Sequence, residues 1–154
     1  MIQTDLAYRR TAAESGNGLG LLISLFDTLA GDLRRAAEAQ REDDVERRCR
    51  EVRHALLVIG HLESWVDRGT GGVLAQELID FYAMLRRKLI VAQASKSEEI
   101  LDQLMSSVLE LREHWQKIEL RTEPSGPEVL RPVIQIPAGY PAPHAERIRS
   151  DWSA

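Results

Sequence analysis

The chain has few of the residue types that build disulfide frameworks, metal centres or membrane spans. Its single cysteine among 154 residues, Cys49, excludes an internal disulfide. One thiol and four scattered histidines do not have the spacing of a zinc site, and we expect no metal and no cofactor. The longest uncharged run, residues 15–26, is shorter than the roughly 20 apolar residues of a membrane-spanning helix. We therefore expect no membrane insertion.

Proline is absent from residues 1–120, and all six prolines fall within residues 124–143. Because proline breaks helices, a proline-free segment rich in Leu, Ala, Glu and Arg predicts helix. The tail, 121–154, is expected to be extended or disordered. The negative charge excess lies in residues 1–120, and no basic stripe interleaved with aromatic residues is present, which argues against nucleic acid as a partner. With no apolar secretory stretch near the N-terminus, we expect a cytoplasmic protein.

Glycines and capping residues divide residues 17–120 into four predicted helices, near 18–41, 44–68, 72–94 and 97–120. Two of the boundaries have the pattern of a capping box, in which the first side chain caps the helix and a glutamate follows three residues later. The two pairs are Asp43 with Glu46 and Ser95 with Glu98. Asn17 is the predicted N-cap of the first helix.

Apolar residues recur at alternating intervals of three and four in these segments, which is typical of a heptad seam. In the fourth helix they are Leu101, Leu104, Val108, Leu111, Trp115 and Ile118. Short connections force neighbouring helices to run antiparallel. The sequence therefore predicts an all-α fold, an antiparallel four-helix bundle over 17–120, preceded by a short N-terminal segment, 1–16.

The second and third helices carry more apolar residues than a seam needs. Leu57 and Val58 lie beside the stripe of the second helix, as do Ile79, Tyr82 and Ile90 beside that of the third. A wide core stripe explains them, and so does an apolar groove for a partner. The sequence leaves both explanations open.

Candidate catalytic and metal-binding residues are sparse. Glu51 and His54 form one Glu-x-x-His pair, whereas di-iron bundles need two such pairs and further glutamates. The seam places both side chains away from the core. No serine lies in a glycine-flanked turn that would expose it as a nucleophile. We expect no enzyme; the alternative is a histidine-phosphotransfer-like signalling domain that uses His54, and a third class is a structural homodimeric coiled coil.

Several short segments, in order along residues 6–119, resemble the flagellar secretion chaperone family FliS. They are Ala7-Tyr8, Leu25-Phe26-Asp27, Gly71-Gly72-Val73-Leu74-Ala75, Phe81-Tyr82, Arg86-Arg87, Leu89-Ile90, Ala92-Gln93 and Leu111-Arg112-Glu113-His114-Trp115. The chain departs from the family pattern at Asn17-Gly18, where Ser-Pro is usual, and at Thr28, where glycine is usual. Its proline-rich tail is a further departure.

The resemblance implies a chaperone whose N-terminal cap segment lies over an apolar groove until the C-terminal segment of flagellin displaces it. It implies Leu6 and Tyr8 as cap anchors. The other partner it implies is the flagellar export apparatus, to which flagellin is delivered, and the chain itself is expected to be a monomer or homodimer. The groove residues we expect are Phe26, Leu57, Val58, Ile79, Tyr82, Leu89 and Ile90.

The tail contains one extended apolar run, residues 129–136. This run is expected to fold back and compete with the client, or else to serve as a mobile linker or a second docking peptide. The sequence does not separate these roles.

Overall fold

Four α-helices form an antiparallel bundle in the part of the chain that the computed structural model describes, residues 18–121 and 134–135. Each helix packs on its neighbours in sequence, and the last helix closes the ring on the first. The all-α four-helix prediction is confirmed. The helices are α1 Gly18–Arg41, α2 Val45–Ser64, α3 Gly72–Ser95 and α4 Glu98–Arg121.

The caps that start α2 and α4 are not the predicted ones. Asp44 caps α2, because its Oδ1 accepts a hydrogen bond from the Arg47 amide at 3.0 Å. The predicted cap, Asp43, instead adopts a left-handed conformation with φ of 55° in the turn after α1. The turn between α1 and α2 is therefore one residue longer than the capping-box pattern assumes, and the prediction of Asp43 as the cap is wrong.

The same displacement occurs before α4. Ser97 caps this helix, since its Oγ accepts a hydrogen bond from the Ile100 amide at 3.2 Å. Ser95, the predicted cap, is the last residue of α3, and its hydroxyl donates to the Val91 carbonyl. Lys96 between them takes the left-handed conformation that closes α3. The cap belongs to the residue after this turn, so Ser95 as the cap is also wrong.

Helix α2 ends at Ser64, four residues before the predicted end at 68. The cause is Asp67, whose Oδ1 accepts hydrogen bonds from the amides of Gly69 at 2.9 Å and Thr70 at 3.2 Å. The Thr70 hydroxyl also donates to Asp67 Oδ2. An aspartate that binds amides two and three residues ahead stabilises a turn in place of another helical turn.

The core follows the heptad seams, with α1 at its centre. Leu22, Leu25, Phe26 and Leu29 of α1 are at most 1 % exposed. Side chains from the other three helices surround them, and the largest of those that are less than 2 % exposed are Ile59, Leu62, Tyr82, Leu85, Leu89 and Leu101. Within residues 18–121, no helix has the length and apolarity needed to cross a bilayer.

Ion pairs fix the register of α1 against α4. Arg112 donates to Asp27 at 2.5 Å near one end of the pair, and Arg41 donates to Glu98 near the other. The same device joins α2 to α3, where Arg86 pairs with Glu63 at 2.8 Å. These contacts set the heights at which residues on neighbouring helices face one another.

Candidate binding surface

Four of the seven predicted groove residues lie inside the bundle. Each is exposed by 2 % or less, and they are Phe26, Val58, Tyr82 and Leu89. Their side chains pack within the core cluster that all four helices share. In this arrangement a ligand can contact these four side chains only if the helices separate.

Tyr82 shows how this interior is built. Its ring lies 6.4 Å from that of Phe26 on the diagonally placed α1, and 5.9 Å from the edge-on ring of Phe81. Burial, with a smaller contribution from the Glu63 carboxylate, raises the pKa of the Tyr82 phenol well above its ordinary value. The phenol is therefore neutral over the whole physiological range.

The other three predicted residues lie at or near the surface. Leu57 is 60 % exposed and Ile90 is 55 % exposed, whereas Ile79 is half-buried against the core. Exposed apolar side chains of this size are the ones that a partner can cover without rearranging the bundle.

Contacts between α2 and α3 show which side of α3 these residues occupy. Arg86 pairs with Glu63 of α2, and the Gln93 amide donates to Cys49 Sγ of α2 at 2.9 Å. Ile79 lies seven residues before Arg86, so it shares this side of the helix, and Ile90 lies one turn after Arg86. Both isoleucines therefore border α2.

We call the surface where these helices meet the α2–α3 face, and its residues are Leu56, Gly60, Ile79, Ala83, Arg86 and Ile90. Gly60 leaves space at its centre, since a Cβ there would meet only the Arg86 guanidinium, at 3.9 Å. Leu57 lies at the outer edge, on the side of α2 that faces away from the core. The face is an apolar strip along two helices.

Charge differs between the α2–α3 face and the opposite side of the bundle. Arg53, one helical turn before Leu57, and Arg87, three residues before Ile90, are exposed and basic. Helix α4 carries acidic residues instead, namely Glu98, Glu99, Asp102, Glu110 and Glu113. Leu57 and Ile90 thus have basic neighbours, which favours a partner that combines apolar and acidic residues.

Glu51 and His54 do not face away from the core, as the seam predicted, but turn toward α1. His54 Nδ1 lies 2.6 Å from Oδ2 of the buried Asp32, and Arg35 Nη2 lies 2.7 Å from its Oδ1. Arg35 Nε also donates to Glu51 at 3.1 Å. Burial opposes the charge of Arg35, but the Glu51 and Asp32 carboxylates outweigh it and raise the Arg35 pKa.

This cluster joins α1 to α2 and holds the His54 ring on a carboxylate. Among the described residues, no three or more His, Cys, Asp or Glu side chains form a group suited to a metal ion. Sequence reasoning missed the cluster, although a signal was present. Asp32 and Arg35 on α1, and Glu51 and His54 on α2, are two pairs with the same three-residue spacing and complementary charge.

Sequence reasoning also missed Arg48, which is buried in the bundle at 5 % exposure. Its guanidinium donates to Gln93 of α3 at 3.1 Å and to Gln40 of α1. One side chain of α2 thus joins three helices. The predicted cap anchors, Leu6 and Tyr8, lie outside the described residues.

The family comparison agrees with this architecture. The model of the family described as "Flagellar protein FliS" matches residues 1–122, which is most of the chain and includes all four helices. A search of the curated proteins finds no match. The proline-rich tail lies almost wholly beyond the matched residues. With a family match over this length, the chain belongs to the FliS family of flagellar chaperones.

Proposed function

We propose that this protein is a cytoplasmic chaperone that binds the C-terminal segment of flagellin, prevents its premature polymerisation and delivers it to the flagellar type III export apparatus. Membership of the FliS family supports the chaperone role. The observation that carries the choice of site is the exposure of large apolar side chains, Leu57 and Ile90, on or beside the α2–α3 face.

The α2–α3 face suits an amphipathic client segment. A helix binds such a strip with apolar residues three and four positions apart, and the basic residues Arg53 and Arg87 favour acidic residues in the client. Ordering a disordered segment costs several kcal/mol, so tight binding needs a large contact area. Val91, 48 % exposed and next to Ile90, extends the apolar area along α3.

The buried residues of the predicted groove have an indirect role in this proposal. Val58 and Leu89 belong to the core on which α2 and α3 pack, and the contact of Tyr82 with Phe26 joins α3 to α1. Leu6 and Tyr8 remain proposed cap anchors that the client displaces. Binding of this kind needs no covalent step, so we propose neither an enzymatic activity nor a cofactor.

Introduction of negative charge into the apolar strip tests the site. We expect the double substitution Leu57→Asp and Ile90→Asp to weaken binding of a flagellin C-terminal segment at least tenfold in calorimetry, with unchanged far-UV circular dichroism. The matched control is Leu109→Asp, because Leu109 is a 42 % exposed leucine on α4. It adds one negative charge, where the double variant adds two, on a different helix and is expected to leave affinity unchanged.

Two results would contradict the proposed site. Full affinity of the folded double variant would exclude the α2–α3 face, and an equal loss in the Leu109→Asp control would show that added negative charge alone is responsible. Absence of any binding by the wild-type chain would overturn the flagellin-chaperone proposal itself.

A further inference from the structure

The tail contacts the bundle at Ile134 and Gln135, the two tail residues that the structure describes beyond α4. Ile134 pairs with Val66 in an antiparallel bridge, and the Gln135 amide donates to the Trp65 carbonyl at 2.8 Å. The Gln135 side chain donates to Asp67 Oδ2 at 3.0 Å. Three successive residues after α2 thus hold two successive residues of the tail.

This contact has the elements of an extended-peptide site. The backbone of Trp65 and Val66 supplies strand pairing, which accepts many sequences, and the side chains supply selectivity. Ile134 packs its apolar side chain against the core cluster beside the buried Trp65 and Val66. Asp67 accepts the hydrogen bond from the amide side chain that follows. The site therefore selects an extended segment in which a branched apolar residue precedes an amide.

The connection has this shape because α2 stops early. Had α2 continued past residue 68, the Gly69 amide would donate to the Trp65 carbonyl, which in the structure accepts from Gln135 instead. Asp67, which binds the amides of Gly69 and Thr70, keeps the turn open. Hydrogen bonds from Thr70 and Gly69 lower the pKa of Asp67, so its carboxylate is charged and accepts well at neutral pH.

Chain length permits the tail of the same molecule to occupy this site. Helix α4 runs antiparallel to α3, so its last residue, Arg121, lies at the end of the bundle where α2 meets α3. The intervening segment, 122–133, has a reach of roughly 40 Å at about 3.3 Å per residue, whereas neighbouring helix axes are only about 10 Å apart.

We propose that the α2–α3 connection at Trp65, Val66 and Asp67 is an extended-peptide binding site that the chain fills with its own Ile134 and Gln135, and that the flagellin segment competes for it. The competition rests on the proposed function, whereas the docking of the tail does not. The site directly follows Glu63, whose pair with Arg86 borders the α2–α3 face. A client segment lying on that face meets the tail at its end.

Two substitutions at Gln135 separate the backbone contact from the side-chain contact. Gln135→Pro removes both the backbone donor and the side-chain amide. Because the residue before a proline favours an extended conformation, the substitution breaks these hydrogen bonds without disfavouring the extended backbone of Ile134. Gln135→Ala is the matched control, because it keeps the backbone donor and loses only the bond to Asp67. Both substitutions are made in the full chain and lie outside the bundle.

Amide hydrogen exchange and NMR measure the docking without a client. In the wild type, we expect the Gln135 amide to exchange about tenfold more slowly than in an unstructured peptide of the same sequence. We expect the Trp65 and Val66 signals to shift strongly in Gln135→Pro and weakly in Gln135→Ala. Unprotected exchange at Gln135 would overturn the docking. Protection that rises with protein concentration would assign the site to a second copy's tail and overturn docking within one chain.

Calorimetry with a flagellin C-terminal segment measures the competition. If the tail occupies the site most of the time, the apparent affinity equals the intrinsic affinity multiplied by the fraction of molecules in which the site is free. We expect Gln135→Pro to bind roughly tenfold more tightly than the wild type, with Gln135→Ala between them. Equal affinities, with the tail shown by NMR to be released, would overturn the competition. Absence of binding by all three chains would instead overturn the proposed function, while the exchange data still decide the docking.

Discussion

Helices α1 and α3 have the same length, 24 residues, but opposite places in the bundle. Sixteen residues of α1 are buried, against six of α3. The difference is not one of composition, since α3 carries Val73, Ile90 and Val91 on its exposed side. The apolar residues of α1 are used for the core, whereas Val73, Ile90 and Val91 of α3 are left for contact with something else. An apolar helix therefore indicates burial in this chain only when its neighbours surround it.

The two helices also differ in how they are held. Arg112 and Glu98 of α4 pair with α1, and Glu51 and His54 of α2 contact it from the other side. On α3, the one ion pair among the described residues joins Arg86 to Glu63, and both side chains are partly exposed. Local opening follows the weaker contacts, so we expect α3 to separate from the bundle more readily than α1.

Adjacent positions on α3 give the largest predicted contrast. Leu89 is fully buried and Ile90 is 55 % exposed. We expect Leu89→Ala to lower the free energy of unfolding by about 2–5 kcal/mol, because it leaves a cavity. We expect Ile90→Ala to change it by about 0.5 kcal/mol or less, as surface substitutions do. Urea denaturation of both variants measures the difference, and equal losses would show that Ile90 belongs to the core.

Tyr82 tests the interior of the same helix. Tyr82→Asp places a carboxylate where the side chain is 1 % exposed, and we expect a loss of about 3 kcal/mol or more in the free energy of unfolding. Tyr82→Phe keeps the ring and is expected to cost about 1 kcal/mol or less. Thermal unfolding followed by circular dichroism measures both variants. A stable Tyr82→Asp variant with weakened client binding would instead place Tyr82 in the groove.

The raised pKa of Tyr82 makes the wild type sensitive to alkali. The folded chain holds the phenolic proton more tightly than the unfolded chain, in which the pKa is about 10. Stability from this group is complete below pH 10 and falls as the pH rises above it. Tyr82→Phe removes the effect, so its stability should decline less between pH 9 and pH 11 than that of the wild type. Parallel declines would exclude this cause.

Much of the fold could be predicted because seams and helix ends leave local signals. The bounds of α1 at 18 and 41 agree with the prediction, and the seam of α4 is buried at Leu101, Leu104, Val108 and Trp115. The positions of the caps could not be predicted, because a left-handed residue at Asp43 or Lys96 moves the cap without changing the pattern. Local sequence does not reveal how many residues a turn consumes.

The candidate site could be predicted less well, for a different physical reason. A wide core stripe and a surface groove have the same period, so Val58 and Leu57 look alike in sequence although one is buried and the other exposed. The contact of Gln135 with Trp65 spans 70 residues, and strand pairing of this kind leaves no local pattern. Only the packing of the helices distinguishes these cases.

Asp32 tests the tighter attachment of α1. Asp32→Asn removes the charge that holds His54 and Arg35, and we expect a loss of about 1–3 kcal/mol, the range for buried hydrogen bonds to charged groups. Asp27→Asn is the control on the α4 side of α1, where the partners are about one-quarter exposed, and should cost about 1 kcal/mol or less. Chemical denaturation ranks the two, and a larger loss at Asp27 would reverse the proposed order.

The smallest expected effect concerns Asp67, at the end of α2 nearest the tail. Hydrogen bonds from the Thr70 hydroxyl and the Gly69 and Thr70 amides lower its pKa below the ordinary 3.8. Since the folded pKa is the lower one, the stabilisation is present above pH 3.8 and is lost as the pH falls through the folded value. We expect Asp67→Asn to lower the melting temperature slightly at pH 7 and to match the wild type near pH 2. A difference that persisted in acid would show that the carboxylate charge is not what holds the turn, and the open edge that receives the tail would then depend on the backbone alone.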